Sequence, residues 1–166
     1  MTRIIGCDPG LSGSLAMIDS DGLLLELIDM PTLKLTKSKR ALDRADIVDT
    51  LEDWTPEEFS SVKCRVIIEQ AQAMPNQGSV SGFKNGTGYG TLLGILAALR
   101  LPYETVAPKK WQSEILGKID AGTSKAHARQ WAQQNYPKAD LGKRKSEDRS
   151  DAICIAEYGR RQWVGR

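Results

Sequence analysis

Arg3-Ile4-Ile5-Gly6-Cys7-Asp8-Pro9-Gly10-Leu11-Ser12-Gly13-Ser14-Leu15-Ala16-Met17-Ile18 is the stretch whose reading decides the fold. Ile4 to Cys7 is short, apolar and β-prone, and Asp8 closes it. Pro9-Gly10 marks a turn, and Gly13 to Ile18 reads as a returning strand. A carboxylate at the end of a buried strand, beside a tight turn, has a fixed position and access to solvent. Such a group suits a metal ligand or a general base. Asp is also a common turn residue, so Asp8 taken alone could do no more than shape the Asp-Pro-Gly turn. Its meaning depends on where the other carboxylates fall.

Two further segments end or begin on acids. Cys64-Arg65-Val66-Ile67-Ile68-Glu69-Gln70 reads as a strand, and its continuous apolar run fits one covered on both faces. Glu69 sits at its C-terminal end, as Asp8 does in the first strand. In open α/β sheets, sites form at that edge. A charged residue at a strand's exit to solvent is an equally ordinary reading of Glu69 by itself. Near the other end of the chain, Ser146 to Tyr158 reads as a helix. Asp148 and Asp151 stand three apart in its first turn and share a face. Acids there also complement the helix dipole, with no further role required.

The connecting segments fill in an α/β chain. Leu23 to Ile28, after the Asp21-Gly22 turn, is a third strand and completes a meander with the first two. Thr32 to Arg44 is basic and poor in apolar residues and reads as a loop, with Lys37 and Lys39 candidates for phosphate contacts. Apolar residues from Ala45 to Trp54 recur at helical spacing, predicting a helix from about Asp43 to Trp54. Gln70 to Gly90 is glycine-rich and reads as a long loop carrying Gly82, Phe83, Lys84 and Tyr89. An aromatic on such a loop can stack on bases or wedge between them, or it can pack down as an anchor. Thr91 to Leu101 is a buried helix and Tyr103 to Val106 a short strand. Pro108 opens a helix to about Leu116 with Lys109, Lys110 and Trp111 at its start. Thr123 or Ser124 caps a helix to Tyr136, with Lys125 in its first turn. The sole histidine, His127, reads as a surface residue.

Bulk properties narrow the class. The 166 residues are the size of one domain with room for a proper core, and 1–166 is read as a single unit. The chain opens with no basic region followed by a long apolar run, so no signal peptide is expected. The longest apolar stretch, Leu92 to Leu99, is far short of a membrane span. Cys7, Cys64 and Cys154 are odd in number and unpaired in spacing, as reduced core thiols of a cytoplasmic protein would be. Residues 1–99 carry 9 Lys/Arg against 13 Asp/Glu, and residues 100–166 carry 14 against 8. The second half, net +6 against −4 for the first, permits a polyanionic partner, and the Lys143-Arg144-Lys145 cluster falls within it.

Asp8, Glu69, Asp148 and Asp151 thus come from two strand ends and one helix start, with no His or Cys among them. All-oxygen sets suit hard cations, Mg²⁺ with Mn²⁺ as a substitute. Two such ions about 4 Å apart can clamp a phosphodiester. Four close carboxylates would repel one another without a cation.

The strand–Asp-Pro-Gly–strand opening, Val66-Ile67-Ile68-Glu69, the glycine and aromatic segment after it, and the late Asp148-x-x-Asp151-Ala152 helix resemble RuvC-type Holliday junction resolvases of the RNase H-like superfamily. Ile68-Glu69-Gln70, Gly82-Phe83, Gly88-Tyr89-Gly90 and Trp111 are more similar to the plant chloroplast resolvases and their bacterial and phage relatives. The resemblance implies an RNase H-like α/β fold, with a mixed five-stranded sheet flanked by helices on both faces. It implies that Asp8, Glu69, Asp148 and Asp151 bind two Mg²⁺ ions, with Glu147 an alternative to Asp148. Lys125 falls near a basic residue the family uses beside its scissile phosphate. Gly82, Phe83, Lys84 and Tyr89 match the segment that enters the junction, and Lys37, Lys39, Lys109, Lys110, Lys143, Arg144 and Lys145 are candidates for backbone contacts. A homodimer cutting four-way DNA junctions to 5′-phosphate and 3′-hydroxyl ends follows. A branch-migration helicase partner is left open, as are a flap or RNA/DNA-hybrid nuclease and a junction-binding module without catalysis. A sugar-kinase or actin-like ATPase also opens on a strand and an Asp-Gly turn, but usually needs two domains and a longer chain.

Overall fold

The computed structural model describes residues 2–37, 39–55, 63–72, 78–120, 122–142 and 146–164. Among these, β1 (Thr2–Asp8), β2 (Ser14–Asp19), β3 (Leu24–Asp29), β6 (Lys63–Glu69) and β7 (Tyr103–Val106) form one sheet in the order β3-β2-β1-β6-β7. β1 to β3 are antiparallel, whereas β6 runs parallel to β1 and β7 parallel to β6. The expected mixed five-stranded sheet is therefore present. A separate hairpin pairs β4 (Thr32–Lys34) with β5 (Arg40–Leu42). The helices are α1 (Arg44–Trp54), α2 (Ser79–Ala98), α3 (Pro108–Leu116), α4 (Ser124–Asn135) and α5 (Ser146–Val164).

Strand parity divides the core into two. Ile5, Cys7, Leu15, Met17, Val66 and Ile68 face one side and pack with Ile47, Leu51 and Trp54 of α1 and Leu92 and Leu96 of α2. Ile4, Ala16, Ile18 and Ile67 face the other and pack with α5 and with Trp111, Ile115, Ala128 and Ala132 of α3 and α4. Because alternate residues share a face, Gly6 and Asp8 lie on the α5 side of β1, and Glu69 lies on that side of β6. β2 is buried along its whole length, as a strand with both faces covered must be.

α5 rests directly on β1. A Cβ on Gly6 would come within 2.2 Å of the Ala152 carbonyl oxygen and 2.4 Å of the Ala156 amide nitrogen. The absent side chain at Gly6 and the small ones at Ala152 and Ala156 let helix and strand backbones meet. That contact brings Asp151, one residue before Ala152, down to the end of β1.

Two expectations need correction. Gln70 to Gly90 is not one long loop. α2 begins at Ser79 and runs unbroken for 20 residues, taking in Gly82, Phe83, Lys84 and Tyr89 as well as the helix expected from Thr91. Five glycines in that helix cost roughly 5 kcal/mol against alanine, a local penalty that the packing of Leu92 and Leu96 on the sheet opposes. Thr32 to Arg44 is likewise not a plain loop: its ends pair as β4 and β5, and the Arg40 guanidinium donates to the Thr32 hydroxyl. The α1 expectation holds closely, with the Asp43 carboxylate accepting the Asp46 amide as an N-cap. No helix among the described residues is long and apolar enough to cross a membrane.

Candidate metal centre and nucleic-acid face

Parallel pairing of β1 with β6 runs Gly6 against Ile67 and Cys7 against Ile68, so the next residues, Asp8 and Glu69, finish side by side. The turn after Asp8 is fixed by the Gly13 amide donating to the Gly10 carbonyl at 2.9 Å. Gly13 is required there, since a Cβ would lie 2.1 Å from the Asp8 carbonyl oxygen. From above, α5 contributes Asp148 and Asp151. One carboxylate oxygen from each of Asp8, Asp148 and Asp151 lies within 4.8 Å of the others. Residues 140 or more positions apart in sequence thus converge on one point.

The electrostatics follow from that crowding. Burial, then the charges of Glu69 and Asp148, push the Asp8 carboxyl up to about 7. Burial, then Asp8, push Asp151 up to about 8. Glu69 is raised by burial, opposed by a hydrogen bond from Trp111 and the charge of Lys125. Lys125, exposed at the start of α4, donates to Asp148 Oδ1 at 2.9 Å. Its ammonium is partly desolvated, yet the Asp148 hydrogen bond and the surrounding carboxylates hold its pKa above the ordinary value.

Two side chains assigned no role from the sequence stabilise this arrangement, and a third lies unsatisfied beside it. Trp111 Nε1 donates to Glu69 Oε2 at 2.6 Å. Arg149, between the two α5 acids, donates through Nε to Asp29 Oδ1 at 2.7 Å and through Nη1 to the Asp140 carboxylate at 3.0 Å. It ties the first turn of α5 to the end of β3. Ser14 pairs with Asp8 in the register, on the same sheet face, and its fully buried hydroxyl has no hydrogen-bond partner among the described residues. Trp111 is marked only by the family resemblance, without a role, and Arg149 has a local signal, a cation set between two acids in Asp148-Arg149-Ser150-Asp151.

The donor chemistry fits a divalent ion. The set is all oxygen, closely spaced, and made of carboxylates that resist ionising together, with an unsatisfied hydroxyl alongside. Asp8, Asp148 and Asp151 form the compact group, and Glu69 stands next to Asp8 with one oxygen taken by Trp111. The side chain of Glu147 is outside the described part of the structure.

The other predicted contacts distribute unevenly. Phe83 is 77% exposed on the first half of α2, and Lys84 is exposed beside it. Tyr89, on the same helix, is half-buried against the core and shares a hydrogen bond with Thr105, so it anchors α2. Gly82 is half-buried two turns before it. Lys37 and Lys39 are exposed on the β4–β5 hairpin, and Lys109 and Lys110 at the start of α3. A Cβ on Gly88 would lie 3.9 Å from both Leu42 Cδ1 of β5 and the Pro9 carbonyl oxygen. α2, the hairpin and the Asp8 turn are thereby neighbours at one edge. Lys143, Arg144 and Lys145 lie outside the described residues.

A mixed sheet in this order, an acid closing each of two adjacent parallel strands, and a late helix laid across the first of them make an RNase H-like fold. No protein-family model matches the chain, and no curated protein matches it by sequence. Among solved structures, it is similar over 99% of its length to 97% of Thermus thermophilus RuvC in complex with Holliday junction substrate, with a TM-score of 0.68 and 18% identity. A second structure of Thermus thermophilus RuvC matches with a TM-score of 0.64 and 19% identity, covering 98% of this chain and 96% of that one. The yeast mitochondrial Holliday junction resolvase matches with a TM-score of 0.53 and 14% identity, covering 99% of this chain and 79% of that one. At these identities the likeness is one of fold.

Proposed function

We propose that residues 1–166 are a single nuclease domain that resolves four-way DNA junctions by metal-dependent phosphodiester hydrolysis. The observation that carries this reading is the convergence of Asp8, Asp148 and Asp151 within 4.8 Å, beside Glu69, at one edge of an RNase H-like sheet. The matched structures support the choice of substrate, since one is in complex with a Holliday junction and another is a junction resolvase. Gly82-Phe83 and Gly88-Tyr89-Gly90 favour, within that group, the plant chloroplast enzymes and their bacterial and phage relatives.

Asp8, Glu69, Asp148 and Asp151 would hold two Mg²⁺ ions, with Mn²⁺ as a substitute. Bound there, the ions supply an activated water and charge neutralisation at the leaving oxygen. The chain's own residues do the rest. The crowded carboxylates set where positive charge must sit. Lys125, held by Asp148, stands at the rim of the cluster, where a phosphate oxygen would otherwise meet only negative charge. Phe83, standing free on α2, offers an aromatic face to an unpaired or unstacked base. Exposed Lys37, Lys39, Lys84, Lys109 and Lys110 track the sugar–phosphate backbone. Cleavage leaves 5′-phosphate and 3′-hydroxyl ends. Two matched nicks on a four-way junction need two sites related by a two-fold axis, which a homodimer provides.

Incubation with four-way junction, duplex, flap and RNA/DNA hybrid, with and without Mg²⁺, tests the reading. Paired symmetric nicks in the junction alone are expected. Asp8→Asn should bind the junction and fail to cut it. Preferential cutting of the hybrid or flap would replace the substrate, and near-normal cutting by Asp8→Asn would remove Asp8 from the chemistry.

A further inference from the structure

We propose that Trp111 is a positioning residue for Glu69, its indole N–H pinning one carboxylate oxygen so that the other is presented to a divalent ion. The inference rests on the metal-dependent reading above and goes beyond it to a residue outside the ligand set.

Trp111 is the fourth residue of α3 and only 1% exposed, packed in the core that α3, α4 and α5 share with the sheet. A buried indole N–H is a donor only and must find an acceptor. Here it finds a carboxylate from a residue 42 positions away, at the short distance of a charge-assisted bond. The ring is held by its packing and cannot follow the carboxylate, so the carboxylate stays with the ring. Glu69 is a long side chain whose rotamer freedom would otherwise be lost when an ion binds. Trp111 imposes that order at folding instead. The placement of α3 makes the contact possible. Glu69 pairs with Val106, the last residue of β7, and α3 starts two residues later. Its first turn therefore returns over the end of β6. The geometry also separates Glu69 from the tight group: Asp8, Asp148 and Asp151 gather within 4.8 Å, while Glu69 is tethered by one oxygen toward α3. Trp111 sets how far Glu69 reaches into the site.

Partners that orient a metal ligand are typically worth about 10- to 100-fold in affinity. Trp111→Phe keeps the ring in the core and removes the N–H. Its Mn²⁺ affinity, measured by calorimetry on protein shown to be folded, should fall by roughly 10-fold or more. A folded Trp111→Phe with unchanged Mn²⁺ affinity overturns the role. Should that variant not fold, the unmodified protein decides. With ¹⁵N-labelled tryptophan, the Trp111 indole N–H resonance should shift as Mg²⁺ is added, saturating with the calorimetric binding curve. The Trp163 indole, which donates to Glu104 at 2.9 Å from the far end of α5, should stay in place. A Trp111 resonance indifferent to saturating Mg²⁺ overturns the proposal. Absence of any Mn²⁺ binding by the unmodified chain overturns the metal-dependent function itself, a result distinct from normal binding with an unaffected Trp111→Phe.

Discussion

Asp151→Asn replaces one acid of the cluster by a neutral group of the same shape, and its effect on stability should reverse the usual sign for a buried mutation. The Asp151 carboxyl is pushed to about 8 in the fold, first by burial and then by Asp8. An unfolded chain releases that proton near pH 4. Between those values the folded protein binds more protons than the unfolded one, so stability falls as pH rises. Carried by Asp151 alone, the loss by pH 8 is on the order of 5 kcal/mol. Asp8, pushed to about 7 by the same crowding, shares the strain, so removing one acid relieves only part of it. A gain of about 2 kcal/mol is expected for metal-free Asp151→Asn at pH 8, or about 4 to 8 °C in melting temperature for a chain of this size. Near pH 3.5, below the unfolded value, Asp151 is protonated in the folded and unfolded chain alike, and the difference should vanish. Excess Mg²⁺ should raise the melting temperature of the unmodified protein at pH 8 more than that of the variant, and the variant should not cut. Thermal melts by circular dichroism in EDTA and in Mg²⁺, at both pH values, provide the test. Equal melting at pH 8 in EDTA, or a less stable variant, would refute the claim that these acids are forced together.

Three other perturbations test separate parts of the structure. Gly6→Ala pushes a methyl into the Ala152 carbonyl and should lower stability by about 1 to 3 kcal/mol or more, read by urea denaturation, while weakening Mn²⁺ binding as α5 shifts. Phe83→Ala should leave the melting temperature nearly unchanged, because the ring is exposed, yet reduce junction cutting or alter its base preference, read from the nick map. The double change Lys37→Gln with Lys39→Gln should weaken binding to all DNA and reduce the slope of log affinity against log salt by up to about 2, read by fluorescence anisotropy.

The strands that carry the site were legible because their signal is local. Ile4 to Cys7 and Val66 to Ile68 are apolar runs that stop on an acid, and Asp148-x-x-Asp151-Ala152 announces a helix whose acidic face turns into small residues. Parity then sets the face each acid takes, whereas the parallel register of β1 with β6 and the seating of α5 on Gly6, which bring the acids together, are tertiary. α2 was hidden for the opposite reason. Gly82, Gly86, Gly90 and Gly94 recur every four residues, a helical period, but glycine's propensity argues for a loop. Packing through Leu92 and Leu96 decides the matter, and packing is not written locally. The β4–β5 hairpin escaped because strands of three residues offer too short a pattern to alternate. Trp111 and Glu69, or Arg149 and Asp29, meet only through the tertiary fold, and the types of residue alone gave no hint of the pairing.

The glycines of α2 have a consequence in the time domain. Cβ positions at Gly86, Gly90 and Gly94 would meet nothing within 4 Å, so a bare strip of backbone runs along the helix. Its last turns are riveted to the sheet by Leu92 and Leu96, while the turns around Phe83 have no such fastening. Amide protons should therefore exchange with solvent in a gradient, quickest at Ser81 to Lys84 and slowest near Leu96. On the proposed reading, a ring carried on the faster-exchanging end of a rooted helix reaches for a base while the far turns of that helix stay packed.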